Sequence, residues 1–222
     1  MITRRGFLFG ASAFTIAAAV TAGWPVSGLN WMGEAAAQGP SSEELMKPGP
    51  LPEMTMGDPK APVTIIEYAS MTCSHCAHFA TTTFPALKSR YIDAGKVYFI
   101  FREFPLDPLA AGAFMLARCA GDGKYFPLVE KLFAEQKNWA FVQNPIQPLF
   151  GLAKQEAGFT EQSFEKCLSD QKLLDSIDEI RQRAQQKFGV NSTPTFFING
   201  KIFRGAMTIE DVEKQIQPYL KS

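Results

Sequence analysis

Two short apolar runs constrain this fold more than anything else in the chain: VTIIEY at 63–68 and KVYFIFREF at 96–104. Both are rich in β-branched and aromatic residues with apolar side chains on either face, as expected of strands buried on two sides. Between them a helical stretch runs from Cys73 to about Tyr91 and closes at Asp93-Ala94-Gly95. A strand, a helix and a strand at this spacing form a crossover unit, so the two strands should run parallel. Pro85 falls inside the helix, where its missing N–H and its ring predict a kink.

From about Pro108 to Phe188 the apolar residues follow only helical spacing, which predicts a helical insertion over 108–188 whose last long stretch, Phe164 to Phe188, is open to a break at Ser169-Asp170. β structure returns in TPTFFINGKIFRG, where two apolar runs flank Asn199-Gly200, a strong signal for a two-residue hairpin. A last helix, about Thr208 to Leu220, carries Ile209, Val212, Ile216 and Leu220 at helical spacing. The expected order is β-α-β, a helical insertion, then β-β-α, an α/β architecture.

Of the 222 residues 46% are apolar, with nineteen Phe, which excludes disorder as the general state. Lys+Arg and Asp+Glu are each 22, without a basic stripe, which argues against nucleic acid as a partner. Residues 1–37 read as an export signal: Arg4 and Arg5, an apolar stretch from Phe7 to about Ala22, and a cleavage site near Ala37. TRRGFLF resembles the twin-arginine motif, although Phe9 stands where a Lys is often found, so the general secretory route stays open. The apolar stretch is shorter than the roughly 20 residues a membrane span needs, which disfavours an uncleaved anchor. A periplasmic location is the expectation. Residues 38–62, with six prolines, read as an extended arm leading into the fold over 63–222.

The chemistry concentrates in MTCSHCAHF, 71–79, which holds Cys73, Cys76, His75 and His78, two of four cysteines and both histidines. At a helix start, residues advance by about 100° each, so Cys73 and Cys76 share a side while the histidine pair points elsewhere. One ion would not be reached by both pairs, and no second ligand pair of zinc spacing exists, so neither a metal nor another cofactor is expected. A redox disulfide requires less. The unpaired N–H groups and dipole at a helix N-terminus favour a thiolate at Cys73, while Cys76, one turn in, is shielded and resolves. His75 is placed to stabilise the Cys73 thiolate through its ring or its N–H.

EYASMTCSHC resembles the active-site segment of the DsbA-like thiol:disulfide oxidoreductases of the thioredoxin superfamily. The likeness extends through GDPKAPVTIIEY, FIFREFPLD and GVNSTPTFFINGKIFRG, over most of 55–220. It implies a thioredoxin-like fold with a helical insertion, Cys73 as attacking and Cys76 as resolving cysteine, and Pro194 as a cis-proline facing them. Thr193 would then present its backbone to a bound peptide. Glu67 matches the family's buried acid and shares a strand face with Val63 and Ile65; burial would raise its pKa and suit it to exchanging protons with Cys76. Ser74 stands where strongly oxidising members often have Pro, so redox strength does not carry over.

The resemblance further implies an oxidase that donates its disulfide to exported polypeptides with free thiols and is reoxidised by a membrane quinone-linked partner. A reductase or isomerase, and a metal- or peptide-binding chaperone without turnover, are the rival readings. Superfamily isomerases carry an N-terminal dimerisation domain, for which the arm is too short, so a monomer is expected. Cys119 and Cys167 lie on different helices of the insertion, in a compartment that permits disulfides. A buried structural bridge between them is expected, against two reduced core cysteines.

Overall fold

The computed structural model describes residues 40–121 and 123–220. The export signal expected at 1–37 lies outside them. The elements run α1 (Ser42–Met46), β1 (Met54–Met56), β2 (Val63–Ala69), α2 (Ser74–His78), α3 (Phe84–Leu87), β3 (Val97–Glu103), α4 (Pro108–Cys119), α5 (Tyr125–Ala134), α6 (Gln136–Trp139), α7 (Ile146–Ala157), α8 (Glu161–Leu168), α9 (Gln171–Phe188), β4 (Thr195–Ile198), β5 (Lys201–Arg204) and α10 (Ile209–Leu220). This is an α/β, thioredoxin-like fold with the six helices α4–α9 inserted between its two halves. β2 and β3 are parallel, as the crossover requires. The sheet order is β1-β3-β2-β4-β5.

Strand alternation divides the core in two. Val63, Ile65 and Ala69 face one side, with Phe79, Phe84, Phe114, Val212 and Ile216. Ile66 and Tyr68 face the other, with Ile100, Ile180, Phe188 and Phe197. Glu67 therefore shares the face of Ile65, under the active-site helix. The Asn199-Gly200 turn has positive φ at both positions, 44° and 84°, which the paired strands demand of a two-residue turn. Asn199 also accepts from the Thr64 N–H at 2.7 Å and donates to the Pro62 carbonyl at 3.1 Å, pinning the hairpin to the start of β2.

Three departures from the sequence reading have clear causes. The single helix expected over 73–91 contains π-helical turns at Phe79–Thr83 and Lys88–Ile92. Pro85 has no N–H to give, and the chain widens just before it: Phe84 donates to Phe79, five residues back. The arm over 38–62 is not merely extended. It holds α1, whose Leu45 is fully buried, and β1, which pairs antiparallel with β3. Arginines hold it down: Arg102 donates to the Leu45 carbonyl and both Glu53 oxygens, and Arg183 donates to the carbonyls of Glu44, Lys47 and Pro48. A helix of one turn and a strand of three residues are too short to show periodicity.

The third departure concerns the cross-link in the insertion. Cys119 and Cys167 form a disulfide joining the end of α4 to α8, with Cα atoms 6.2 Å apart. Cys167 is buried, but Cys119 is exposed at the last residue of its helix, so the bridge is open to solvent on one side instead of enclosed. The bridge spans a sequence separation of 48, and closing such a loop in the unfolded chain is worth on the order of 4 kcal/mol. Replacing both cysteines by Ala should lower the urea midpoint and steepen the slope, because the unbridged unfolded chain exposes more surface, with a loss of free energy up to about that size. An unchanged midpoint would show that the bridge contributes no net stability.

Candidate active site

β2 ends at Ala69, and the chain turns through Ser70–Cys73 before α2 begins at Ser74. Cys73 is the residue that caps this helix. Its extended backbone (φ −84°, ψ 117°) places it outside the first turn, and the Ala77 N–H reaches back to its carbonyl at 3.1 Å. Cys73 is 9% exposed and Cys76 is 0% exposed, so an incoming group meets the Cys73 sulfur first. Both are free thiols here.

Opposite them stands the start of β4. The Thr193–Pro194 peptide bond is cis, and the Cys73 thiol donates to the Thr193 carbonyl at 3.3 Å. The Thr193 hydroxyl is buried with no hydrogen-bond partner while Cys73 is a thiol. The Thr193 side chain also helps to lower the Cys73 thiol. Pro194 is buried, and its carbonyl accepts from the Gly205 N–H at 2.9 Å, which fixes the start of the strand.

The two sulfurs differ sharply in acidity. The Cys73 thiol is lowered to about 5, chiefly by the hydrogen bond from the Cys76 thiol, against the cost of burial. The Thr193 side chain and the N–H groups of Cys76 and His75 add to the effect. Burial pushes the Cys76 thiol far up, reinforced by its hydrogen bond to Cys73 and by the charge of Glu67. Glu67, 3% exposed on β2, is raised to about 8 by burial first and by the nearby Cys73 second. The buried acid therefore holds its proton at neutral pH within electrostatic reach of both sulfurs.

His75 stands at this site through its backbone, and its side chain is exposed. The ring interaction offered as one possibility by the sequence is not what the structure shows. His78 is also exposed. Among the described residues no three His, Cys, Asp or Glu side chains converge as metal ligands would.

Several supporting residues escaped the sequence reading. Gln136, 3% exposed at the start of α6, donates to the carbonyls of Met71 at 2.8 Å and Cys73 at 3.0 Å. It ties the helical insertion to the active-site turn. Thr72 donates to Asp107 at 2.5 Å, and the other Asp107 oxygen caps α4 through the Ala110 N–H. The Asp107-Pro108 pair was a readable helix start. Nothing local marks Gln136, because its partners lie more than 60 residues upstream.

Beside Cys73, a groove of about 580 Å³ runs between α2 and the insertion, lined by Ser74, His78, Thr81, Phe133, Gln136 and Phe141 among others. Phe141 is 59% exposed on its rim, an unusual position for a large aromatic side chain.

The thioredoxin family model matches residues 51–218. A Rickettsia bellii protein provisionally named a protein-disulfide oxidoreductase is 34% identical over 148 residues, covering 67% of this chain and 57% of its own. The chain thus spans less than two thirds of the length of that curated relative. Among solved structures, alpha-DsbA1 of Wolbachia pipientis superimposes with a TM-score of 0.74 at 32% identity, covering 82% of this chain and 96% of its own. Oxidised BdbD of Bacillus subtilis, with a TM-score of 0.67 at 22% identity, shares the fold. On this sequence coverage and this structural match, the chain belongs to the thioredoxin family, among its DsbA-like members.

Proposed function

We propose that this chain is a periplasmic thiol:disulfide oxidase that passes the Cys73–Cys76 disulfide to exported polypeptides carrying free thiols. The observation that carries this reading is the inequality of the two cysteines: an accessible sulfur lowered to about 5 beside an enclosed one pushed far up. A thiolate so stabilised is a good leaving group and makes the disulfide a strong oxidant.

In the proposed reaction a substrate thiolate attacks the Cys73 sulfur and breaks the Cys73–Cys76 bond. Cys76 departs as a thiolate and takes the proton held by Glu67. A second substrate thiolate then attacks the substrate sulfur of the mixed disulfide and expels Cys73 as a thiolate. Two electrons pass from the substrate dithiol to the enzyme pair. The substrate chain would lie along the Thr193 backbone, with an apolar side chain in the groove beside Phe133 and Phe141. A membrane quinone-linked partner would take the two electrons back. The likeness to alpha-DsbA1 and to the Rickettsia protein supports the exchange chemistry, and the twin-arginine-like leader supports the compartment.

Trapping tests the roles. Cys76→Ala should accumulate mixed disulfides with exported proteins on non-reducing gels, because its nucleophile cannot be released internally. Cys73→Ala should trap at least tenfold less, and equal trapping by both would contradict the assignment.

Paired thermal melts test the direction of electron flow. A Cys73 pKa held below its unfolded value near 9 stabilises the folded reduced form. That contribution is complete above pH 9, shrinks as the pH falls, and is gone below about 5. The oxidised form has no such thiolate. Cys76 stays protonated throughout this range; the burial of Glu67, its main cause of shift, is common to both forms, and the smaller repulsion between Glu67 and the Cys73 thiolate, present only in the reduced form, offsets part of the gain. Reduced protein should therefore melt higher than oxidised protein at pH 7, with the gap closing toward pH 5. Oxidised protein that is the more stable at every pH would make the chain a reductase.

A further inference from the structure

The turn that carries Cys73 is held from outside at three successive residues. Gln136 donates to the carbonyls of Met71 at 2.8 Å and Cys73 at 3.0 Å, and between them the Thr72 hydroxyl donates to Asp107 at 2.5 Å. Both holders belong to the helical insertion: Gln136 opens α6, and Asp107 caps α4. The turn needs them because Cys73 begins α2 without a capping bond from its own side chain. A Ser, Thr or Asp in that place would lock the helix start by accepting an amide. The Cys73 thiol is directed instead at the Thr193 carbonyl.

Gln136 suits this task chemically. Both of its partners are carbonyls, so the amide nitrogen faces them, and its two N–H groups match two acceptors. Among the described residues no other donor reaches the Met71 carbonyl. Met71 is 0% exposed, so without Gln136 that carbonyl is left buried and unpaired unless the turn moves. Gln136 is itself fixed in place. It shares its single helical turn with Trp139, which is fully buried and donates to the Leu132 carbonyl of α5 at 2.8 Å.

We propose that Gln136 is a positioning residue for disulfide exchange: by gripping the carbonyls on either side of Thr72 it aims the Cys73 sulfur at the first amides of α2 and at Thr193, with the Thr72–Asp107 bond as its second anchor. The proposal rests on the reading of Cys73 as the attacking sulfur. Gln136 acts through the backbone, and a reacting group has to be held within about 0.5 Å of its productive place. A released turn lets the sulfur drift from the His75 and Cys76 N–H groups that favour its thiolate. The reduced form then loses more than the oxidised form, in which the bond to Cys76 keeps Cys73 in place. The insertion, fastened in this way, contributes to oxidising power as well as to the wall of the groove.

The test pairs a titration of the reduced protein, followed by ultraviolet thiolate absorbance, with the redox equilibrium against glutathione. Gln136→Met keeps the length of the side chain and removes both bonds. It should raise the Cys73 titration midpoint by about one pH unit and lower the constant for oxidation of glutathione about tenfold at pH 7. Thr72→Val should move both the same way, the constant by about threefold, and Thr72→Ser, which keeps the hydroxyl, should match the wild type. Thermal melts separate positioning from packing, because in Gln136→Met the reduced form should lose more than the oxidised form. Equal losses in the two forms, with midpoint and constant unchanged, would make Gln136 a packing residue and overturn the proposal while leaving the role of Cys73 intact. Should Gln136→Met fail to fold, wild-type values in Thr72→Val would overturn it as well. A wild-type midpoint at the value of an ordinary thiol would remove both the proposal and the reading beneath it.

Discussion

β4 lies antiparallel on β2 with Tyr68 opposite Thr195, and this register sets almost everything at the active site. It brings the chain leaving β2 and the chain entering β4 to the same end of the sheet, so Cys73 and Thr193 meet although 120 positions separate them. It also keeps Glu67 on the side of the sulfurs. Side chains alternate along a strand, so a slip of one residue would turn Glu67 to the face of Ile66 and Tyr68 and put an isoleucine beneath Cys76. The register is secured beyond the site by Asn199, whose side chain bonds both Thr64 and Pro62. A hairpin turn at one end of the sheet thus holds the chemistry at the other.

The acidity difference between the cysteines follows from this placement. Cys73 sits where a helix begins, near unpaired amides, the Thr193 side chain and a neighbouring thiol; Cys76 sits one turn deeper among apolar groups. The same two side chains at the middle of a helix would differ little. No histidine ring is required, and the one available points to solvent.

The sequence made this legible to an uneven degree. VTIIEY and KVYFIFREF announced two buried strands, and Asn199-Gly200 announced a turn, because in each case the signal is local. Cys73, Cys76 and Pro194 were readable through family likeness, and Glu67 through both likeness and strand alternation. Gln136 was invisible, since a glutamine in a helical segment acquires its role only when folding brings Met71 and Cys73 to it. The arm was misread for a related reason. α1 and β1 are held by tertiary bonds from Arg102 and Arg183, and neither has enough residues to express a period.

That arm also completes the sheet. β1 contributes only three residues, but they cover the outer side of β3, a seven-residue strand rich in Phe, Tyr and Ile. Exposed, such an edge is a template for pairing with other chains. A proteolytic nick between β1 and β2 would leave this cover attached through its three backbone pairings, the Glu53–Arg102 ion pair and the bonds of Arg102 and Arg183 to the arm's carbonyls. Loss of so short a segment would leave the cysteines in place and still make the protein prone to self-association. The resistance of this segment to proteases then bears on solubility more than on catalysis.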